Sequence, residues 1–309
     1  MILLLESVHA EAHEVLERAG KVVVAPTPTD IGEGLAAEEI RAVVTRGLGR
    51  VDSELLERLP NLEVVARCGA GLDNIDTARA EELGIVVVHT PGRTTAAVAE
   101  LATLLMLAGA RLLEELSAGV RRGEWSVRDG YEGVELGGKR MGVVGLGAIG
   151  TRVGEIGLVL DMDVVGWTRR SGSLPFPRLE LDELFQTSDV IQICVASTPE
   201  TDGLIGPSEF SQLKQGALLI NTARGRIVDH EALRAALESG QVGAYAADVW
   251  DPEPPRLDDE LIRDPRVLLT PHVAAFTDVT YRDICVSAAT AAAAVLEGQA
   301  PDRSCVFAG

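Results

Sequence analysis

The sequence predicts an α/β protein with parallel sheets covered by helices. Three observations carry that prediction. Short β-branched runs alternate with stretches rich in Ala, Glu and Leu over the first ninety residues. A second alternating series begins near residue 140. It opens with a glycine-rich turn, Gly145-Leu146-Gly147-Ala148-Ile149-Gly150, set between an apolar run and a helical stretch.

The first series places strands at Ile2–Leu5, Val22–Ala25, Ala42–Thr45, Glu63–Ala66 and Ile85–His89, with helices such as Ala10–Ala19 and Asp52–Leu59 between them. A long Ala/Leu helix from Thr95 to about Ala118 follows. Over Ala96–Arg111 it carries little charge, so it must be buried in a core or between subunits. Gly119–Gly138 is polar and contains Trp125 and Tyr131, which reads as an arm or loop. The second series places strands at Met141–Val144, Asp163–Trp167, Val190–Val195, Ala217–Ile220, Ala244–Asp248 and Val267–Thr270. An alanine-rich helix, Thr277–Leu296, closes the pattern.

A chain of 309 residues accommodates one large or two medium domains. Its 46% apolar and 24% charged residues are an ordinary globular balance. No unbroken apolar run approaches the ~20 residues of a membrane span. Met1-Ile2-Leu3-Leu4-Leu5-Glu6 has no basic region before its apolar run, so it reads as a first strand rather than a signal peptide. The net charge of −19 argues against partners that are nucleic acids or anionic membranes. An anionic substrate must therefore be drawn by local arginines. Cys68, Cys194, Cys285 and Cys305 are scattered with no C-x-x-C pair, which points to a reducing cytoplasm and no metal site.

In the glycine turn, Gly145 permits the tight bend, Gly147 lets backbone approach a pyrophosphate, and Gly150 lets helix and strand pack closely. Ala148 and Ile149 open a helix whose N-terminal N–H groups face the phosphate charge. About 20 residues on, where an acid would bind the ribose hydroxyls, the chain instead reads Trp167-Thr168-Arg169-Arg170. A hydroxyl and two guanidinium groups suit a 2′-phosphate, so NADP(H) is favoured, with NAD(H) the alternative. The bland alternative is that both arginines are solvated surface charges.

Four further segments resemble one family, the D-isomer-specific 2-hydroxyacid dehydrogenases, which include phosphoglycerate dehydrogenase and the glyoxylate/hydroxypyruvate reductases. They are Arg67–Asp76 (RCGAGLDNID), Asn221–Asp229 (NTARGRIVD), Asp248–Pro255 (DVWDPEPP) and Thr270–Ala274 (TPHVA). With the glycine turn they follow the family's order from about residue 46 to 280. The resemblance implies two Rossmann-like domains with parallel sheets. A flavodoxin-like substrate-binding domain would comprise residues 1–94 and 276–309, and an NAD(P)-binding domain residues 95–275. A cleft between them would close on substrate.

The resemblance makes Arg224, Glu253 and His272 the catalytic residues. The chemistry agrees. Reducing a 2-oxo acid needs a cation for the carboxylate, which Arg224 supplies bidentately. It needs a proton donor at the carbonyl oxygen, which His272 supplies. Glu253 would orient the imidazole and favour its protonated form. Singly, each residue has a plainer alternative as a core or capping histidine, a loop acid or a salt-bridge arginine. Together they fall at the C-terminal ends of successive expected strands, where open α/β sheets bind ligands. Thr222, Ala223 and Asp248 are assigned to the cofactor side, and Asp248 would also tune the His272 network. Ala70 and Gly71 would offer backbone N–H groups to the substrate carboxylate. Arg46 and Arg93 are candidate contacts for a distal anionic group.

Three departures stand out: Thr94 replaces an Asn common before the V-A-E segment, Cys194-Val195-Ala196 replaces a His-x-Pro, and no acid stands at Thr168. The C-terminal regulatory domain of long phosphoglycerate dehydrogenases is not expected. The Thr95–Ala118 helix and the arm with Trp125 resemble the family's dimer contact, so a homodimer is expected. Two other activities share these features: a nucleotide-sensing corepressor, and a formate- or phosphite-type dehydrogenase. The formate type usually pairs its His with Gln, whereas the partner here is Glu253.

Overall fold

A computed structural model describes residues 1–32 and 35–307. They fall into two compact units, Met1–Thr94 with Ala275–Gly309, and Thr95–Ala274.

Among the described residues, the first unit holds five strands: β1 (Ile2–Leu4), β2 (Val22–Val24), β3 (Ala42–Thr45), β4 (Val64–Arg67) and β5 (Val86–Val88). They form one parallel sheet in the order β2-β1-β3-β4-β5. The chain winds outward from β1 in one direction and then in the other, so the sheet reverses between β1 and β3. The central strands β1, β3 and β4 are almost wholly buried, which is why their sequence is apolar without alternation.

Helix Ala10–Ala19 and helix Asp278–Leu296 cover one face of this sheet. The latter is long and apolar enough, by length and composition alone, to cross a bilayer. Here its Ile284, Cys285, Ala288, Ala289 and Ala292 are buried in the core of the unit. Thr277 caps it, accepting the Thr280 N–H at 3.0 Å.

The second unit holds β6 (Arg140–Val144), β7 (Asp163–Trp167), β8 (Val190–Ile193), β9 (Ala217–Asn221), β10 (Val242–Ala247) and β11 (Val267–Leu269). They too are all parallel, in the order β11-β10-β9-β8-β6-β7, and this sheet reverses between β6 and β8. All eleven expected strands are present, with ends shifted by a residue or two, and the α/β class with parallel sheets is as expected.

The long helix is not one piece. It breaks into Thr95–Ala110 and Leu113–Arg121, bent by 65°. Leu112 at the corner takes a left-handed backbone at φ 47°. The first piece is buried through Ala99, Ala102, Leu105 and Met106. The second carries Glu114, Glu115 and Arg121. A polar helix cannot continue into the core that the apolar one enters, so the chain turns where the pattern changes.

Candidate active site

The crevice where the second sheet reverses is shaped by missing side chains. Gly145, just after β6, sits at φ 106°. A Cβ there would lie 2.8 Å from the backbone of Cys194 and Val195, which follow β8. Gly150 has even less room, since a Cβ would fall 2.0 Å from the Gly145 carbonyl oxygen. Gly147 is the opposite case. It is the N-cap of helix Ala148–Val159, and a Cβ there would meet nothing within 4 Å. That open space borders the free N–H groups of the helix, a site for an anion. Ala148 is exposed and Ile149 packs on the core of this unit.

At the end of β7, Thr168 is buried and its hydroxyl accepts the Arg170 N–H at 3.2 Å. Arg169 and Arg170 are exposed, and Arg169 comes only within 4.0 Å of Glu200. After β9, the Thr222 hydroxyl is buried without a hydrogen-bond partner among the described residues, and Asn221 Oδ1 accepts the Ala223 N–H at 3.0 Å. An orphaned hydroxyl, bare glycine backbone and a helix N-terminus on one sheet edge fit a dinucleotide.

Arg224, Glu253 and His272 follow β9, β10 and β11, three adjacent strands. His272 Nδ1 lies 2.8 Å from Glu253 Oε2. The other oxygen, Oε1, accepts the Trp250 N–H at 3.1 Å. Burial opposes the charge on Glu253. The hydrogen bond and charge of His272, the Trp250 amide and the charge of Arg224 outweigh it and hold the carboxyl below the ordinary carboxylate range. Asn221 Nδ2 donates to the Arg224 carbonyl at 2.9 Å, and Arg224 Nη1 donates to the Ala223 carbonyl at 2.7 Å.

Asp248 is turned toward the loop after β11. Its Oδ1 accepts from the Thr270 hydroxyl at 2.6 Å and the Val273 N–H at 2.9 Å, and its Oδ2 accepts the Ala274 N–H at 2.8 Å. His272 lies inside this clamp with a left-handed φ of 54°. A β-carbon disfavours that backbone, so the loop must hold it there.

The remaining candidates belong to the first unit. Arg46 follows β3. Its guanidinium lies 5.3 Å from the Phe276 ring and 5.7 Å from the Tyr281 ring, and its Nε is 3.7 Å from Glu6. Ala70 and Gly71 lie in the loop after β4, and the Ala70 carbonyl is 2.8 Å from His89 Nδ1. Arg93 is ion-paired to Asp283 at 3.0 Å. Sequence reasoning misses Asn221, although it heads the N-x-x-R-G segment. It also misses Glu6, an acid directly after the first strand.

Residues 103–274 match the family model described as D-isomer specific 2-hydroxyacid dehydrogenase, NAD binding domain. The chain belongs to the D-isomer specific 2-hydroxyacid dehydrogenase family. Among its relatives is a glyoxylate reductase of Aeropyrum pernix, 39% identical over 276 residues, covering 86% of this chain and 82% of that protein. A D-3-phosphoglycerate dehydrogenase of Archaeoglobus fulgidus is 38% identical over 288 residues, covering 89% of this chain. The chain spans only 53% of that relative, about half its length. Among solved structures, the TT0316 protein of Thermus thermophilus superposes with a TM-score of 0.90 at 34% identity, covering 99% of both chains. The match to the family's NAD-binding domain ends at Ala274, two residues after His272.

Proposed function

We propose that this chain transfers a hydride between a nicotinamide dinucleotide and C2 of a small 2-oxo or D-2-hydroxy acid. The observation that carries the proposal is the His272–Glu253 pair at 2.8 Å, with Arg224 on the neighbouring strand end. The nicotinamide, when bound, supplies or accepts the hydride. The chain's residues do the rest. Arg224 binds the substrate carboxylate and draws charge from the carbonyl. Glu253 occupies Nδ1 of His272, which leaves Nε2 to give a proton to the oxygen on C2 during reduction and to take it back during oxidation. Hydride and proton together convert the carbonyl to the alcohol.

We assign Gly145, Gly147 and Gly150, with the N–H groups of Ala148 and Ile149, to the pyrophosphate. Thr222 and Ala223 are assigned to the nucleotide beyond it. Thr168, Arg169 and Arg170 favour NADPH, because two exposed guanidinium groups and no acid stand where the ribose would lie. Arg46, Ala70, Gly71 and Arg93 remain proposed substrate contacts. A homodimer is proposed on Leu104, Leu107, Leu113 and Trp125 of the bent helix pair and arm, large apolar side chains that stand exposed on one chain. A monomer by light scattering would count against it.

His272→Ala tests the assignment of the acid. Turnover should fall about 10²- to 10⁴-fold, while the cofactor dissociation constant stays within a factor of about two. Retained turnover would refute the role of His272.

A further inference from the structure

The catalytic loops of the second unit share one support that the reaction does not itself require. Trp250 is buried, at 5% exposure, and its main chain meets both loops. On one side its N–H donates to Glu253 Oε1, which leaves Oε2 for His272. On the other, the Arg224–Gly225 segment lies directly on it. A Cβ on Gly225 would fall 2.0 Å from the Trp250 carbonyl carbon and 2.5 Å from the Asp251 nitrogen. These are backbone atoms, so no side-chain rotation relieves the clash.

The indole is fixed from three directions. The His230 ring lies against it at 4.1 Å and 34°. Tyr245, fully buried, is 6.2 Å away and receives a hydrogen bond from Asn221, the residue that pins the Arg224 loop. Indole Nε1 donates to Asp259 at 3.3 Å. The His230 imidazole is half-buried, and its Nε2 is orphaned among the described residues, so its use here is its face rather than its hydrogen bonds.

We propose that Trp250, backed by His230, is a positioning residue that sets Glu253 and Arg224 in register for one substrate. It touches neither substrate nor cofactor and acts through the Glu253 carboxylate and the Arg224 loop. The inference rests on the hydride-transfer reading above.

A double-mutant cycle tests it, with kcat and KM measured for the best 2-oxo acid. Trp250→Ala should lower kcat at least tenfold in the wild-type background and by a clearly smaller factor in the Glu253→Ala background, because the carboxylate it positions is then gone and only its support of Arg224 remains to be lost. KM should rise by a similar factor in both backgrounds, since Arg224 loses its support in each. Trp250→Phe, which keeps a ring against His230, should restore kcat to within about threefold. His230→Ala leaves the indole in place and should show a smaller kcat loss that Glu253→Ala again absorbs. It serves as the second probe if Trp250→Ala does not fold. Losses that multiply across the two backgrounds, or no loss in His230→Ala, would overturn the positioning role. If the wild type turns over, such a result leaves the proposed reaction standing. A wild type inactive on every acid removes both.

Discussion

Both units place two loops where the sheet reverses, after β1 and β3 in one and after β6 and β8 in the other. Their chemistry is opposite. In the first unit, Glu6 fills the crevice. Its Oε2 accepts from the Thr45 hydroxyl and from the N–H groups of Arg46, Gly47 and Gly49, at 2.8 to 3.0 Å. In the second, Gly145 and Gly147 leave bare backbone and open space beside a helix N-terminus. An anionic diphosphate is repelled where a buried carboxylate has already taken the N–H groups, and is welcomed where such groups are free. One winding rule thus gives two different edges, and the loop residues rather than the topology decide which binds a dinucleotide.

The largest expected effect comes from breaking the close packing of the glycine turn that shapes the open crevice. Gly150→Val puts a branched side chain against the Gly145 carbonyl, where even a Cβ would sit at 2.0 Å. Cofactor affinity, read by fluorescence titration, should fall at least about 100-fold. Unchanged affinity would mean the dinucleotide lies elsewhere.

A smaller effect sharpens the picture at the end of β7. Replacing Arg169 and Arg170 together by Ala should raise the Michaelis constant for NADPH by about tenfold or more while that for NADH changes little, since each lost charge-assisted contact is worth about 1–2 kcal/mol. Equal effects on both cofactors would remove the case for a 2′-phosphate site.

The smallest effect belongs to the closed crevice. Burial opposes the charge on Glu6, yet its bonds to Gly49, Gly47, Arg46 and Thr45 hold its carboxyl below the ordinary 4.5. A depressed carboxylate stabilises the fold at every pH above its unfolded value. That contribution fades as pH falls from about 4.5 through the lowered folded value. Glu6→Gln should therefore cost about 1–3 kcal/mol at pH 7 by denaturant unfolding. The gap to wild type should narrow only below the ordinary carboxylate range. A gap that is constant into strong acid would show that Glu6 acts by shape rather than charge.

The fold was legible because the central strands are buried on both faces and so declare themselves as runs such as Ile2–Leu4 and Val190–Ile193. The glycine turn was legible because the close approach at Gly150 admits no substitute. The bend at Leu112 was not, since Gly109 lies inside the first helix, no Pro stands at the corner, and only the change from apolar to charged residues hints at it. The settings of Arg46 and Arg93 were not legible either. Their partners Tyr281 and Asp283 lie 235 and 190 residues away, and nothing local announces such pairs. Asp248 was singled out from the sequence as a candidate. That both its oxygens face the His272 loop follows from how β10 and β11 sit side by side.

The proposed hydride transfer depends on the edge formed by Arg224, Glu253 and His272. The direct measurement is the loss of reduced-cofactor absorbance by purified protein, with NADPH and NADH offered in turn against a panel of glyoxylate, hydroxypyruvate, phosphohydroxypyruvate and bulkier 2-oxo acids. Turnover is expected on at least one acid, faster with NADPH, and about 10²- to 10⁴-fold slower in His272→Ala. Tight cofactor binding with no turnover on any acid would contradict the claim and would favour a nucleotide-sensing role instead.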